Sequence, residues 1–194
     1  MKVNILILAA GSSSRLGQSK QKFIVGGVSL LAKTVQVALN SKAKHVLVVL
    51  GAQAEEHQQL IAGFPVETVY HEQWERGMGS SLKAGMKVLL EKHPDSEAVI
   101  VMVCDQPYLT TAILDSLIAT YQRKSADIVA CSYKNVHGVP ALFSRSVFPN
   151  LLEIDDAQGA RKIIQHHTGT LLTVPFENGD VDLDTPADLD RVKP

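Results

Sequence analysis

Four short stretches of nearly uninterrupted apolar residues stand out in the first two-thirds of the chain. They are rich in valine and isoleucine, show no alternation with polar residues, and lie at positions 3–8, 46–50, 98–104 and 128–131. Runs of this length and composition are typical of strands buried on both faces, as in a parallel sheet. We therefore predict four central strands.

Between these runs, apolar residues recur at helical spacing. Positions 31, 35, 38 and 39 form the i, i+4, i+7, i+8 stripe of an amphipathic helix, and similar stripes cover residues 82–90 and 113–121. Strands that alternate with helices predict βαβ units with right-handed crossovers. The expected fold class is α/β, with a mostly parallel central sheet layered between helices.

The alternation of strands and helices weakens after residue 132. Further strands are predicted at 139–143 and 171–174, and further helices at 147–152 and 157–167. A last short helix is predicted over 186–192, with Pro186 in its first turn and Thr185 as N-cap. Since no linker of low complexity, internal repeat or composition shift interrupts the sequence, we expect residues 1–194 to form a single domain.

Composition and charge narrow the classes of function. The chain carries 19 basic and 20 acidic residues, spread along its length, which is not the basic footprint of a nucleic-acid-binding domain. Both cysteines end apolar runs, and the N-terminus lacks the layout of a secretory signal, so a reducing, cytoplasmic setting is expected. No apolar run approaches the roughly 20 residues that span a bilayer, which predicts no membrane segment.

The loop after the first apolar run has the composition of a phosphate-binding loop. In open α/β sheets ligands bind at the carboxyl ends of strands, and the sequence there is LAAGSSSRLGQSK, beginning at Leu8. Ala9, Ala10 and Gly11 have almost no side chain, so backbone N–H groups can approach a phosphate or a base closely. The serines that follow, beginning with Ser12, can turn toward the same ligand.

Two cations in this loop, Arg15 and Lys20, supply a planar fork and a mobile point charge that suit a triphosphate. The spacing does not fit two better-known phosphate loops. Gly11 and Gly17 are separated by five residues, unlike G-x-G-x-x-G, and Gly17 is not followed directly by lysine, unlike G-x-x-x-x-G-K-[ST]. The alternative is a plain surface turn with two incidental cations.

Aspartates at two places could hold a metal ion. Asp105 follows the most apolar predicted strand, where a buried charge needs compensation, and Mg²⁺ bridging phosphate oxygens is a natural partner. Its alternative role is to cap the next helix, which is predicted to begin at about residue 110 or 111. Asp180, Asp182 and Asp184 alternate with apolar residues and would share one face of an extended segment, so one of them could reach the same metal; an exposed acidic turn is the alternative.

Glycines and serines at positions 77–81 lead directly into an amphipathic helix. Gly79, Ser80 and Ser81 are therefore expected near a helix N-terminus, whose N–H groups favour acceptors and anions, and in contact with a base, ribose or phosphate. Simple N-capping explains the serines equally well, though not the glycines before them.

Two loop-like sites are candidates for a second substrate, or equally for routine turns. Their residues are His137, Gly138, Pro140 and Arg161. No His/Cys spacing resembles a zinc site, and no nucleophile motif is present; Cys104 is expected to be a small core residue.

Three of these motifs, in this order along the chain, resemble those of the MobA-like nucleotidyltransferases, the group of molybdenum-cofactor nucleotidyltransferases and their relatives. The first loop is similar to the family's L-A-A-G-x-S-x-R-x-G-x-x-K, residues 105–107 to its metal-binding D-Q-P, and residues 182–186 to its closing D-x-D-T-P. The resemblance covers the chain from Val3 to about Leu189.

The resemblance implies a Rossmann-like three-layer fold, a nucleoside triphosphate donor, and Mg²⁺ between Asp105 and Asp182, with Arg15 and Lys20 on the triphosphate. In relatives Ala-Ala-Gly goes with cytidine and Ala-Gly-Gly with guanosine. The implied activity is therefore transfer of CMP from CTP to the phosphate of molybdopterin with release of pyrophosphate.

The sequence departs from the family pattern on the acceptor side. Lys22 stands where relatives commonly carry leucine, and Ala157 falls where an acidic residue usually precedes x-Gly-Ala-Arg, although Asp156 is adjacent. Guanylyl transfer, a sugar or polyol phosphate acceptor, and a nucleotide-binding maturation factor without turnover therefore stay open. Transient contact with a molybdoenzyme or its chaperone is a further expectation.

Overall fold

A mixed sheet of seven strands lies at the centre of the computed structural model, which describes residues 1–13 and 19–183. Counting a smaller second sheet, the described residues contain nine strands. In chain order these are β1 (Val3–Ala9), β2 (Ile24–Val25), β3 (Val28–Ser29), β4 (Val46–Leu50), β5 (Glu67–Tyr70), β6 (Ala98–Val103), β7 (Ile128–Tyr133), β8 (Val136–Ser144) and β9 (Leu171–Pro175). The large sheet has the order β5-β4-β1-β6-β8-β7-β9, and β2 and β3 form a separate two-stranded sheet.

Strand direction in the large sheet changes at β8. The strands β5, β4, β1 and β6 are parallel, whereas β8 is antiparallel to both β6 and β7, and β9 is parallel to β7. A two-residue turn joins β7 to β8, in which Lys134 and Asn135 have φ of 44° and 61°, as the tight turns of hairpins require. Because β8 runs against β6, its first residues extend past the carboxyl end of β6.

Six helices of the described residues flank the large sheet. They are α1 (Leu30–Leu39), α2 (Ala54–Ile61), α3 (Met78–Lys92), α4 (Thr111–Lys124), α5 (Phe148–Glu153) and α6 (Ala160–His166). Strand β1 separates the two layers: Ile5 and Ile7 belong to the apolar cluster with α1, α2 and α4, whereas Leu6 and Leu8 belong to the cluster with α3, α5 and α6. This alternation explains why the strand is apolar throughout, since each face packs on a helix layer.

Most of the predicted elements are present, with shifted ends. The four central strands are found, and α4 begins at Thr111 as expected. The helix predicted over 157–167 begins only at Ala160, because Gln158 and its neighbours form a turn. The α/β class and the layered, mostly parallel sheet are confirmed, while the last predicted helix, 186–192, lies outside the described residues.

Several elements have no counterpart among the predictions. Helix α2 buries only His57 and Ile61 of its eight residues, and edge strand β5 is half exposed, so neither presents a clear apolar pattern. The β2–β3 hairpin is too short to register as a pattern. Within the part of the chain that the structure describes, no helix has the length and apolarity to cross a bilayer.

Candidate active site

A cavity of about 290 Å³ opens at the carboxyl ends of β1 and β6. Three segments of the chain meet there, namely the loop after β1, the loop before α3 and the end of β6. The lining residues are Leu8, Ala9, Ala10, Gly11, Ser12, Lys20, Gln21, Trp74, Glu75, Gly77, Met78, Ser81, Val103, Cys104 and Asp105. The structure thus brings together most of the residues predicted to bind a nucleotide, at the edge of the sheet where ligands of open α/β folds bind.

The small residues after β1 are packed closely against the end of β4. The Ala52 backbone N–H donates to the Ala10 carbonyl at 2.9 Å. A Cβ added to Gly51 would lie 2.7 Å from that same carbonyl oxygen and 2.7 Å from the Trp74 side chain. Ala10 is itself buried, so the backbone on this side of the cavity leaves no room for larger side chains.

Lys20 and Asp105 form an ion pair on the cavity wall. The Lys20 Nζ donates to Asp105 Oδ2 at 2.6 Å, and the two side chains are only 17% and 18% exposed. The other carboxylate oxygen, Oδ1, is buried and has no hydrogen-bond partner among the described residues. A buried carboxylate oxygen without a donor is unusual, since nearly all such atoms are satisfied, and it is a ligand atom of the kind that Mg²⁺ and Mn²⁺ bind.

Asp182 lies near Asp105 in space, although 77 residues separate them in the sequence. The Leu183 N–H donates to the backbone carbonyl of Asp105 at 3.0 Å, which holds the C-terminal segment beside the end of β6. Burial raises the pKa of Tyr133, and the negative charges of Asp182 and Asp105 raise it further. Both carboxylates therefore act on one phenol.

Asp180, of the same C-terminal cluster, differs from Asp182. Asp180 forms an ion pair with the exposed Lys134 at the β7–β8 turn, and this pairing lowers the pKa of Asp180. Asp184 lies outside the described residues, as does the loop cation Arg15.

Gln106, which sequence reasoning did not select, joins three parts of the site. Its Nε2 donates to the Val139 carbonyl of β8 at 3.1 Å and to the Gly179 carbonyl at 2.9 Å. The side chain is 5% exposed. The glutamine of the D-Q-P sequence thus ties the end of β6 to β8 and to the segment that carries Asp182.

The N-terminus of α3 lies where the sequence predicted it, but its N–H groups have a protein partner. Those of Gly79 and Ser80 both donate to the Asp156 carbonyl, at 2.8 and 3.3 Å. The Ser80 hydroxyl donates to the Gly77 carbonyl at 2.8 Å and contacts His71, facing inward. Of the three residues predicted here for nucleotide contact, the structure places Ser81 on the cavity wall and leaves Gly79 and Ser80 outside its lining.

The two glycines at the start of α3, Gly77 and Gly79, are explained by packing against the turn at 155–158. A Cβ on Gly77 would lie 2.5 Å from the Asp156 carbonyl oxygen, and Gly77 also has a φ of 123°. A Cβ on Gly79 would overlap the Asp155 carbonyl oxygen. Asp156 reinforces the junction through ion pairs with Arg76 and Lys83, and the hydrogen bond from Lys83 is the main cause that lowers its pKa.

The four residues predicted to face a second substrate separate into two pairs. His137 and Arg161 line a neighbouring cleft of about 320 Å³. Gly138 and Pro140 are buried in β8, and a Cβ on Gly138 would overlap the Tyr133 hydroxyl. The glycine therefore permits close approach of Tyr133.

Cys104 lines the cavity, but its chemistry is that of a core residue. Burial, reinforced by the charge of Asp105, raises the pKa of the thiol to about 12, so the nucleophilic thiolate is absent at neutral pH. The expectation that Cys104 is a small core residue is confirmed by its 3% exposure.

A second group of metal-ligand types lies at the opposite edge of the sheet, which the sequence analysis did not foresee. One ligand atom each of His45, Glu67 and His93 lie within 4.8 Å of one another. The Glu67 carboxylate already pairs with Lys92 at 2.8 Å and with His93 at 2.6 Å. Its oxygens are thus satisfied, in contrast to Asp105.

Comparison with known proteins agrees with this fold. The chain is 28% identical to the purine catabolism protein PucB of Bacillus subtilis, over 97% of this chain and 94% of that protein. The structure superposes on Rv0371c of Mycobacterium tuberculosis with a TM-score of 0.86 and 28% identity, covering 99% of this chain and 97% of that chain. A structure described as a complex of Rv0371c with manganese gives a TM-score of 0.81 at 24% identity, over 99% and 98% of the two chains.

The family assignment rests on a match over most of the sequence. Residues 5–171 match the MobA-like NTP transferase domain, a stretch that contains most of β1, the loop after it, the helix α3 and the Asp105 turn. This is the family whose motifs the sequence resembles. The chain belongs to the MobA-like nucleotidyltransferases.

Proposed function

We propose that this chain transfers CMP from CTP to the phosphate of molybdopterin, with release of pyrophosphate. The observation that carries the proposal is the Lys20–Asp105 pair in a cavity walled by the small residues after β1, with one oxygen of Asp105 left without a donor among the described residues. Family membership supports nucleotidyl transfer. The choice of CTP is supported by the resemblance of Ala9-Ala10-Gly11 to relatives that use cytidine.

Lys20 is the proposed contact for the triphosphate. Its ammonium group reaches the cavity beside Gly11 and Ser12, where the backbone can approach a phosphate. A lysine held by a carboxylate is already positioned and partly desolvated, so it can turn to a phosphate oxygen with little loss of side-chain freedom. Arg15 is proposed for the same triphosphate from the sequence motif alone.

Asp105 and Asp182 are the proposed ligands of a divalent ion, Mg²⁺. The buried Oδ1 of Asp105 fits such an ion because the chain offers it no donor in the described residues. Asp182 is exposed beside it, and the manganese complex of Rv0371c supports divalent-metal use in this fold. When bound, the ion would neutralise charge on the phosphate oxygens as pyrophosphate leaves.

The reaction needs no strong general base, because an acceptor phosphate is already an anion at neutral pH. Accordingly, no histidine lines the cavity in the described parts of the chain, and Cys104 is a neutral thiol. In this mechanism the protein aligns the two phosphates in line and compensates developing charge, with Lys20 on the donor. His137 and Arg161, with Gly138 and Pro140 shaping β8, are proposed for the acceptor side.

The donor is tested by thermal shift. We expect CTP with Mg²⁺ to raise the melting temperature more than GTP, UTP or ATP does, because a ligand that binds the native state stabilises it. A larger shift with GTP would overturn the choice of cytidine while leaving nucleotidyl transfer intact.

The acceptor is tested by release of pyrophosphate from the preferred nucleotide, with molybdopterin and with sugar or polyol phosphates offered separately. We expect release with molybdopterin. Release only with another phosphate would replace the acceptor, and nucleotide binding without release from any of them would identify a non-catalytic maturation factor.

A further inference from the structure

A series of buried polar side chains, from Gln21 on the cavity wall to His57 on α2, bonds to the backbone of the proposed triphosphate loop. Gln21 is 1% exposed, and its Nε2 donates to the Ala9 carbonyl and the Gly11 carbonyl, each at 3.0 Å. One amide therefore holds the backbone on both sides of Ala10. The later end of the loop is held as well, because the Lys20 N–H donates to Ser13 Oγ at 3.2 Å.

The direction of each hydrogen bond in this series of side chains follows from which atoms can donate and which can only accept. Carbonyl oxygens can only accept, so the amide nitrogen of Gln21 must face Ala9 and Gly11, and its Oε1 must face Ser19. The Ser19 hydroxyl donates its single proton to that oxygen at 2.7 Å. Ser19 Oγ lies 2.6 Å from His57 Nε2, so it must accept from a protonated Nε2.

His57 is therefore the first donor in a series of hydrogen bonds that all run in the same direction, through Ser19 and Gln21, to the carbonyls of Ala9 and Gly11. It lies on α2 and is fully buried, and Ser19 is 2% exposed. Its second nitrogen, Nδ1, is buried and has no partner in the described residues, as expected for the neutral form with its proton on Nε2.

We propose that His57 is a positioning residue that, through Ser19 and Gln21, fixes the loop backbone in the conformation that binds the nucleoside triphosphate. The inference rests on the proposed function for the identity of that ligand. His57 does not line the cavity, so its effect passes through the carbonyls of Ala9 and Gly11. Because both carbonyl oxygens accept from Gln21, the N–H groups of the loop rather than these oxygens are left to meet a phosphate.

The first test uses the protein without nucleotide. Nitrogen-15 NMR of the histidine rings reports the tautomer, and we expect His57 at neutral pH to carry its proton on Nε2. A neutral ring protonated on Nδ1 would overturn the proposal, because its Nε2 has no proton to donate to Ser19 in the observed direction.

The second test compares His57→Leu with His57→Gln. Leucine removes the donor, whereas the glutamine amide can place an N–H near the position of Nε2. We expect His57→Leu to raise the KM for the nucleotide about tenfold, with kcat changed less than about threefold, and His57→Gln to recover most of the affinity. Equal affinities of His57→Leu and the wild type would overturn the proposal.

A matched control separates positioning from loss of stability. Asn4 on β1 donates to Ser96 Oγ at 2.7 Å, both side chains are buried, and the pair lies at the opposite edge of the sheet. We expect Asn4→Leu to lower the melting temperature about as much as His57→Leu but to leave the nucleotide KM unchanged. An equal rise of KM in both variants would attribute the effect to general destabilisation and overturn the proposal.

Hydrogen exchange makes the inference independent of the proposed function. We expect faster exchange of the amides of residues 9–13 and 19–21 in His57→Leu than in Asn4→Leu, measured without ligand. If the wild type binds no nucleoside triphosphate, the proposed function fails, and exchange at these amides still decides whether His57 holds the loop. Unchanged exchange there would overturn the inference even if nucleotide binds.

Discussion

The two oxygens of the Asp105 carboxylate have different surroundings, and this difference leads to the first prediction. One oxygen accepts from Lys20, and the other is buried without a donor in the described residues. Asp105→Asn keeps the shape of the side chain but removes the charge that a divalent ion needs. We expect turnover to fall by about 100-fold or more, the range seen when one charge-stabilising group is lost from an active site.

The control for this variant is Asp180→Asn. Asp180 belongs to the C-terminal acidic cluster, but it pairs with the exposed Lys134 and contributes no lining to the cavity. Its loss should change turnover by less than about twofold, since exposed ion pairs contribute little. Near-normal turnover of Asp105→Asn, measured as pyrophosphate release, would contradict both its metal role and its catalytic role.

The second prediction concerns the dependence of stability on pH. Burial lowers the pKa of His57 below its usual 6.5; the charge of Lys22 lowers it further and that of Glu56 opposes the shift. The unfolded chain therefore takes up this proton at higher pH than the folded chain. The contribution of His57 to stability is complete above pH 6.5 and is lost as the pH falls from there through the lower pKa of the folded state.

Urea unfolding of the wild type and of His57→Gln checks this prediction, because glutamine keeps a donor but does not titrate. As the pH falls from about 7 to about 5, the free energy of unfolding of the wild type should decrease relative to that of His57→Gln. A difference that stays constant with pH would show that His57 titrates alike in the folded and unfolded states. His71, whose pKa is also lowered by burial, contributes equally to both proteins and cancels.

At the scale of elements, the third prediction concerns the junction between the start of α3 and the turn at 155–158. A Cβ on Gly79 would overlap the Asp155 carbonyl oxygen and lie 2.7 Å from that of Gln158. Backbone atoms cannot move aside as a flexible side chain can. We therefore expect Gly79→Ala to lower the free energy of unfolding by about 1–3 kcal/mol.

The matched substitution is Gly63→Ala in an exposed turn, where an added Cβ meets nothing within 4 Å. Urea unfolding should place it within about 0.5 kcal/mol of the wild type. If Gly79→Ala were equally neutral, the close packing of the two segments would not be a source of stability.

The elements that the sequence predicts well are those with two apolar faces or a regular apolar stripe. Residues 46–50 are buried along their whole length, and this is visible in the sequence without any knowledge of neighbours. Helix α2 was missed because its stripe is reduced to His57 and Ile61 and because Gln53, in a left-handed conformation, provides no side-chain cap.

The candidate site was predictable where chemistry lies next to a strand end, and not where it depends on a distant segment. Lys20 and Asp105 follow from loop composition and from the position of a charge after an apolar run. The partner of the α3 N-terminus could not be predicted, because nothing local to Ser80 indicates that the Asp156 carbonyl lies opposite. The same holds for Gln106, whose acceptors lie more than 30 residues away.

At the scale of the whole molecule, one sheet provides the support for every part of the site. The parallel strands β1, β4 and β6 all end at one edge of the sheet. The antiparallel β8 begins at that edge and so places residues 136–140 there. Both apolar layers pack on this same sheet, and we propose on that ground that residues 1–194 form one domain.

The reversal of direction at β8 has a consequence for how new specificities can arise in this architecture. Apart from Asp182, the residues proposed for the nucleotide precede residue 106, whereas those proposed for the acceptor follow residue 132 and belong to the hairpin and α6. A single crossover between two related genes, placed between these stretches, would exchange one recognition surface and retain the other. On the proposed assignment, donor and acceptor preference can be inherited separately within one fold.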